Sequence, residues 1–461
     1  MVKRKGSIVF NRKAYTQLEL WKQRSDGRTA LLLEGARRVG KSTLVEAFAK
    51  DAYASYLLID FSNAPQSVQQ IFLDYKNDLD SLFMYLAAIY GVQLTRRQSV
   101  IIFDEVQLFP PARELIKQLV ADGRYDYIET GSLISIQQNI GNILIPSEEE
   151  TLRLDPLDFE EFLWAAGEDQ LSTLIRKSFS TLSPLPDALH RRAERLFREY
   201  ILVGGMPQVV SSYLEQRDFG AVDREKRLIV SLYRNDMQRF GGREAIRLSR
   251  VYSTIPSQLA KHDKMFRLSG IDKNARMREY ADAFYWLDNA QITSTCHNAD
   301  DPAVGLSASL DETTFKSYMS DTGLLSTLQF WDNDQTPHEV YRDILLDRLE
   351  VNEGMLTENV VAQQLRTAGH RLFFYSRRDD SARENTMEID FLITRGYDNA
   401  AGKLRVSPIE VKSGKRYRFG SLKKFKAKFG TRVGISYILH PRPMQVDGEI
   451  IRLPLYMSWC L

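Results

Sequence analysis

From Thr29 to about residue 155 the chain alternates short, unbroken apolar runs with stretches of helix length. The runs are Thr29–Leu33 (TALLL, closed by Glu34-Gly35), Ser55–Phe61 (SYLLIDF), Ser99–Asp104 (SVIIFD), Tyr125–Thr130 (YDYIET) and Thr151–Leu154. A run without polar alternation predicts a strand covered on both faces. Such strands separated by helices predict a parallel sheet, and hence an α/β fold. Ahead of them, in the polar stretch 1–28, Tyr15, Leu18 and Trp21 fall at helical spacing.

The pattern changes after residue 155. Residues 156–250 read mostly as helices, broken at Ser183–Pro186 and at Gly204-Gly205-Met206-Pro207. Residues 251–330 predict a compact helical unit ending in short strands, of winged-helix type, with Tyr280, Phe284 and Leu287 as its core stripe. The polar stretch 331–350 reads as a linker. From 354 onward come a helix, several strands, a basic helix and more strands.

Composition narrows this only slightly. At 461 residues the chain has room for about three domains. With 62 basic and 60 acidic residues, the balance points to no class of partner, so any nucleic-acid signal must be local. Cys296 and Cys460 lie too far apart in sequence to suggest a metal cluster or a disulfide framework. The basic N-terminus lacks the apolar core of a signal peptide, and no apolar run approaches the ~20 residues of a membrane span. The expectation is a soluble, cytoplasmic chain with no membrane partner.

The sharpest local signal is Gly35-Ala36-Arg37-Arg38-Val39-Gly40-Lys41-Ser42-Thr43. It follows a predicted strand and opens a predicted helix, and it matches GxxxxGK[ST]. In this pattern the glycines let backbone N–H groups curl around a phosphate, the lysine reaches the β- and γ-oxygens, and the Ser42 hydroxyl ligates Mg²⁺. The strand Val100–Phe103 ends in Asp104-Glu105. Asp104 is expected to bind Mg²⁺ through water, and Glu105 to polarise the attacking water. The next strand ends in Thr130-Gly131-Ser132, where a hydroxyl would point at the γ-phosphate. These residues predict ATP and Mg²⁺ as cofactors and ATP hydrolysis as the reaction.

Together with further blocks, these motifs resemble the prokaryotic AAA-type ATPases that carry a C-terminal PD-(D/E)xK nuclease-like domain. The blocks are GARRVGKS, IIFDEVQ, YIETGSL, LDPLDFEEFLWA, GGMPQVV, FKSYMSDTGLL, MLTENVVAQQL, EIDFLI and PIEVKSG. The resemblance implies an AAA ATPase core over residues 1–165 and a helical lid over 166–250. A winged-helix-like domain over 251–335 and a nuclease-like α/β domain over 350–461 would follow. It also implies a homo-oligomer, in which a neighbour's arginine completes the site. Arg124 and Arg153 flank the relevant strands, and the finger stays unassigned between them.

Within the C-terminal part, Asp390, Glu410 and Lys412 form D-x19-E-V-K. Alternation along a strand puts Glu410 and Lys412 on one face, and Asp390 comes from the strand before. In the nuclease-like reading Asp390, Glu410 and the Val411 carbonyl hold Mg²⁺, and Lys412 orients or deprotonates the attacking water. Glu358 matches the additional acidic residue of many such nucleases, and Glu388 shares a face with Asp390. Between Gly402 and Arg432 eleven basic residues accompany one acid, Glu410. A one-sided charge of this kind suits a nucleic-acid backbone, DNA above all. Lys261, His262, Lys264, Arg267, Lys273, Arg276 and Arg278 around the expected winged helix add to it. The reaction expected is ATP hydrolysis coupled to binding, remodelling or cleavage of DNA. The alternative is a nucleotide-dependent switch whose nuclease-like domain grips nucleic acid or a protein without cutting.

Overall fold

The computed structural model describes residues 2–4, 7–131, 147–261, 263–336, 338–345, 353–377, 386–396, 404–414, 417 and 420–461. It divides into two compact units, Met1–Asp155 with Asn289–Gln291, and Pro156–Asp288 with Ile292–Leu461.

The first unit opens with a small antiparallel pair, β1 (Val2–Arg4) and β2 (Ser7–Val9). Its main sheet is formed by β3 (Ala30–Glu34), β4 (Ser55–Asp60), β5 (Ser99–Asp104), β6 (Asp126–Gly131) and β7 (Glu149–Arg153). All pairings in this sheet are parallel, in the order β4-β5-β6-β3-β7. The unbroken apolar runs follow from burial on both faces. In β5, Val100 and Ile102 pack with Leu31, Leu33, Val45 and Phe48 on one side. Ile101 and Phe103 pack with Phe72, Leu86 and Ile116 on the other. Each such side chain, fully removed from water, contributes roughly 1.5–3 kcal/mol. The same alternation has a consequence for chemistry. Asp104 shares a face with Val100 and Ile102, and Thr130 shares a face with Ile128, so both point toward the helix Lys41–Ala52.

The second unit begins at Pro156, earlier than the boundary expected at 165. Leu157 explains this, because its N–H donates to the Gly205 carbonyl and its own carbonyl accepts from the Tyr200 hydroxyl. Helix Phe159–Ala165 follows, opened by a capping box between Asp158 and Glu161. Helices Asp169–Thr181, Asp187–Val203, Pro207–Gln216, Phe219–Phe240, Ala245–Leu259 and Met277–Asn289 follow in turn. The last buries Tyr280, Phe284 and Leu287, the stripe expected from the sequence.

The strands expected to finish a separate winged helix have a different fate. Strands β8 (Thr293–Ala299) and β9 (Leu310–Met319) join β10 (Phe373–Arg377), β11 (Met387–Gly396), β12 (Leu404–Val411), β13 (Ser436–His440), β14 (Gln445–Asp447) and β15 (Ile450–Pro454). They form one mixed sheet ordered β14-β15-β13-β12-β11-β10-β8-β9. The link is the parallel pairing of β8 with β10, so segment 251–335 does not close on itself. The helices Glu353–Thr367 and Gly420–Phe429 belong to this unit. Among the described residues no helix is long and apolar enough to cross a membrane.

Candidate functional site

The loop between β3 and helix Lys41–Ala52 turns through two left-handed residues, Arg38 (φ 70°) and Gly40 (φ 98°). Gly40 caps the helix in a conformation that a side chain would strain. Gly35 meets a different demand. A Cβ there would lie 2.6 Å from the Leu154 carbonyl and 2.9 Å from Val39 Cγ1. Lys41 is buried, and its Nζ donates to the Gly35 and Ala36 carbonyls at 2.9 and 3.2 Å. Burial lowers its pKa, against the pull of Glu105 and Asp104. An ammonium so placed at the start of a helix is ready to exchange carbonyls for phosphate oxygens.

Arg12 was not anticipated. It is buried, and its guanidinium donates to the Val39 carbonyl at 3.2 Å and to the Asp155 carbonyl at 2.5 Å. It fixes the far side of the loop to the end of the first unit. Nothing in the local sequence marks it beyond a basic residue in the lead-in.

Strand β6 lies between β5 and β3, which brings Thr130 beside Asp104. Asp104 Oδ1 accepts from the Ser42 hydroxyl at 2.8 Å and from the Thr130 hydroxyl. Thr130 Oγ1 also accepts the Glu105 N–H at 3.3 Å. Burial raises the Asp104 pKa, and these two hydroxyls oppose the shift. Glu105 has a left-handed backbone (φ 54°), and its carboxylate accepts from the Gln107 side chain. A non-glycine residue in this region carries strain, a recurrent feature of catalytic positions. Ser42 and Asp104 are adjacent oxygen donors of the kind a hard divalent cation uses, so the residues present fit Mg²⁺. Ser132, the second hydroxyl considered, lies outside the described residues.

Thr130→Val removes the hydroxyl that holds both Asp104 and Glu105. The expected result is a fall in kcat for ATP of about tenfold, the weight of one hydrogen bond, with KM changed less than about twofold. Steady-state phosphate release checks it. Of the two arginines considered as fingers, Arg124 pairs with Asp80 at 2.6 Å and Asp122 at 2.7 Å, and Arg153 pairs with Asp155 at 2.7 Å.

In the second unit the structure gathers the other predicted residues, with a difference. Glu358, on helix Glu353–Thr367, is buried. It accepts from Lys316 Nζ at 3.2 Å, from Lys264 Nζ and from the Tyr318 hydroxyl. Lys316, itself 1% exposed, also pairs with Glu388 at 2.9 Å. Asp390 accepts the Val411 N–H at 2.8 Å, across the antiparallel β11–β12 hairpin. Glu410 accepts the Leu422 N–H at 3.1 Å and pairs with Lys412 at 2.9 Å, so these two do share a face. Among the described residues, no three His, Cys, Asp or Glu side chains are placed to hold a metal ion. Of the residues expected there, Glu358 pairs with Lys264 and Lys316, and Glu410 pairs with Lys412.

The cluster has a consequence for stability. Burial alone would raise the Glu358 carboxyl, but Lys316 and Lys264 hold it below the ordinary range. The unfolded chain therefore takes up that proton first. The stabilisation is full above a pH of about 4.3 and is lost as the pH falls further. Asp390 is pushed up by burial and by Glu358, so it acts with the opposite sign. Glu358→Gln leaves the buried Lys316 with Glu388 as its remaining ion-pair partner and is expected to cost about 3 kcal/mol at pH 7. Urea unfolding from pH 7 down to pH 3 measures this. The gap between wild type and variant should narrow as the pH drops.

The basic residues divide. On helix Gly420–Phe429, Leu422, Phe425 and Phe429 are buried, and Phe425 and Phe429 pack against Tyr375. Lys424 donates to the Thr386 carbonyl, Lys428 meets the Tyr375 hydroxyl, and Lys426 pairs with Glu449. Lys403, Lys415, Arg416 and Arg418 lie outside the described residues, as does His262. Lys264, expected to face nucleic acid, is turned inward onto Glu358.

Three family models match the chain. An AAA domain covers residues 27–163, and two domains of unknown function, DUF8612 and DUF4143, cover residues 194–335 and 353–456. No curated protein matches. Among solved structures, the Walker-type ATPase PABY2304 of Pyrococcus abyssi is 16% identical, over 70% of this chain and 96% of that one, with a TM-score of 0.43. The Aeropyrum pernix ORC1 protein, solved in complex with DNA, is 9% identical over 74% and 93%, with a TM-score of 0.26. Likeness at that level adds nothing to the residue geometry. The AAA match and the P-loop geometry together make the N-terminal part an AAA-type P-loop ATPase domain.

Proposed function

We propose that this protein is an ATP-hydrolysing switch whose C-terminal unit grips a nucleic-acid backbone without cutting it. The ATPase half rests on one observation above the others: Asp104 is held by the hydroxyls of Ser42, on the phosphate loop, and Thr130, on the inserted strand. That arrangement couples the metal-binding end of the loop to the strand that carries Glu105. Lys41 would bind the phosphates, Ser42 and Asp104 would hold Mg²⁺, and Glu105 would position the water. With little covalent chemistry required, positioning and charge supply most of the acceleration.

The non-cleaving half is favoured by the second unit. Glu358 and Glu388 are paired with Lys264 and Lys316, and Glu410 with Lys412, which supports holding these carboxylates as ion-pair partners rather than as metal ligands. The basic helix Gly420–Phe429, apolar on its inner face, supports the nucleic-acid reading, because Lys423, Lys424, Lys426 and Lys428 lie along one short segment. A homo-oligomer is part of the proposal, with an arginine of a neighbouring copy completing the nucleotide site. Fluorescence anisotropy with labelled single-stranded, duplex and branched DNA tests the binding. Affinity that differs between ATP and ADP and falls steeply with salt supports it. Affinity blind to both nucleotide and salt overturns it.

A further inference from the structure

We propose that Gln107 is a positioning residue for ATP hydrolysis, its carboxamide fixing the direction in which the Glu105 carboxylate points. The inference deepens the reading of Glu105 as the residue that places the attacking water, and rests on it. Gln107 closes the block IIFDEVQ, two places after Glu105.

The local fold gives Gln107 little freedom. Strand β5 ends at Asp104, Glu105 turns the chain in a left-handed conformation (φ 54°), and a single 3-10 turn, Val106–Leu108, follows. The Leu108 N–H donates to the Glu105 carbonyl at 2.9 Å, and the Phe109 N–H to the Val106 carbonyl at 3.1 Å. Val106 is wholly buried, in the cluster that holds Phe103, Phe109 and Ala112. Gln107, next to it, is buried as well. A buried carboxamide on a turn anchored in this way is a fixed donor, and its Nε2 donates to Glu105 Oε2.

A glutamate side chain turns about three torsions, so an unrestrained carboxylate spends most of its time out of line with any water it could use. Two contacts remove that freedom. Thr130 Oγ1 accepts the Glu105 N–H at 3.3 Å and holds the backbone. Gln107 holds one carboxylate oxygen, which leaves Oε1 to accept from water. The carboxylate so held acts on the phosphate loop: burial lowers the Lys41 pKa, and Glu105, ahead of Asp104, draws it back up. In the step this serves, a water oxygen bonds the terminal phosphorus as the bond from phosphorus to the bridging oxygen breaks. The water's proton passes to Glu105 Oε1, and ADP leaves on the bridging oxygen. Gln107 touches none of the reacting atoms and acts only through Glu105.

The test is a double-mutant cycle on ATP hydrolysis by the full chain, followed in single-turnover and steady-state reactions. Gln107→Met keeps the length of the side chain and loses the donor. It is expected to lower kcat about tenfold, the weight of one hydrogen bond, with KM within about twofold of wild type. Glu105→Ala removes the group through which Gln107 acts, so adding Gln107→Met to it should cost less than about twofold more. A merely structural role would cost the same factor of about ten in both backgrounds, and that result overturns the inference. So does a Gln107→Met protein with wild-type kcat while Glu105→Ala is slow. Should Gln107→Met fail to fold, Gln107→Asn draws the carboxamide back by one methylene and completes the same cycle with the same expectations. Hydrolysis by Glu105→Ala at the wild-type rate overturns the underlying reading of Glu105, and the inference with it, so the two failures are told apart.

Discussion

Lys41→Ala is expected to weaken ATP binding by at least about 100-fold. The side chain reaches carbonyls at 2.9 and 3.2 Å at the mouth of the loop, where phosphate oxygens would take their place. Each charge-assisted hydrogen bond carries roughly 1.5–3 kcal/mol, and 1.36 kcal/mol is a factor of ten, so losing two accounts for that fall. The alanine also removes a buried charge that is costly to keep, so the fold should survive and Tm without nucleotide should hold or rise. Isothermal titration with a slowly hydrolysed ATP analogue gives the affinity. A loss below about fivefold would show that the phosphates are held elsewhere.

Glu105→Gln should separate binding from chemistry. The amide keeps the size of the side chain and its contact with Gln107, but it cannot take a proton or draw a water into line. Loss of a positioned general base costs on the order of 10²–10⁴ in rate. The expected outcome is a fall in kcat of that order with ATP affinity within about threefold of wild type, so that an ATP-bound form accumulates. Single-turnover hydrolysis alongside the binding titration measures both. Normal hydrolysis by Glu105→Gln would require another residue to place the water, and Thr130 and Asp104 are its neighbours.

These two variants act on residues that could be named from sequence because their signals are local. The phosphate loop is a run of nine residues whose backbone does the work, and its glycines are needed where they stand. Asp104-Glu105 ends an apolar run whose burial on both faces is written into SVIIFD. The parallel sheet follows from five such runs.

Long-range contacts were harder to see. Arg12 reaches Val39 and Asp155 across most of the first unit, with no pattern to announce it. Lys264 and Lys316 meet Glu358 from 94 and 42 residues away. Before folding, Lys264 is one more base in a basic stretch. A partial signal was present in FKSYM, where Lys316 and Tyr318 share a strand face and are both buried with Glu358. The winged-helix expectation failed to close for a related reason. Helix Met277–Asn289 has the predicted stripe, but the partner of β8 is β10, supplied by a segment far along the chain. Glu410 and Lys412 were placed correctly relative to each other by strand alternation alone. What alternation could not reveal is that the two pair with each other as ions.

One experiment bears on the whole account: ATP, Mg²⁺ and end-labelled DNA incubated with the full chain, with phosphate release and DNA length followed in the same tube. Phosphate release that Lys41→Ala abolishes is expected, with DNA that stays full length throughout. DNA shortened in wild type but intact with Lys412→Ala would contradict it and establish the C-terminal site as a nuclease.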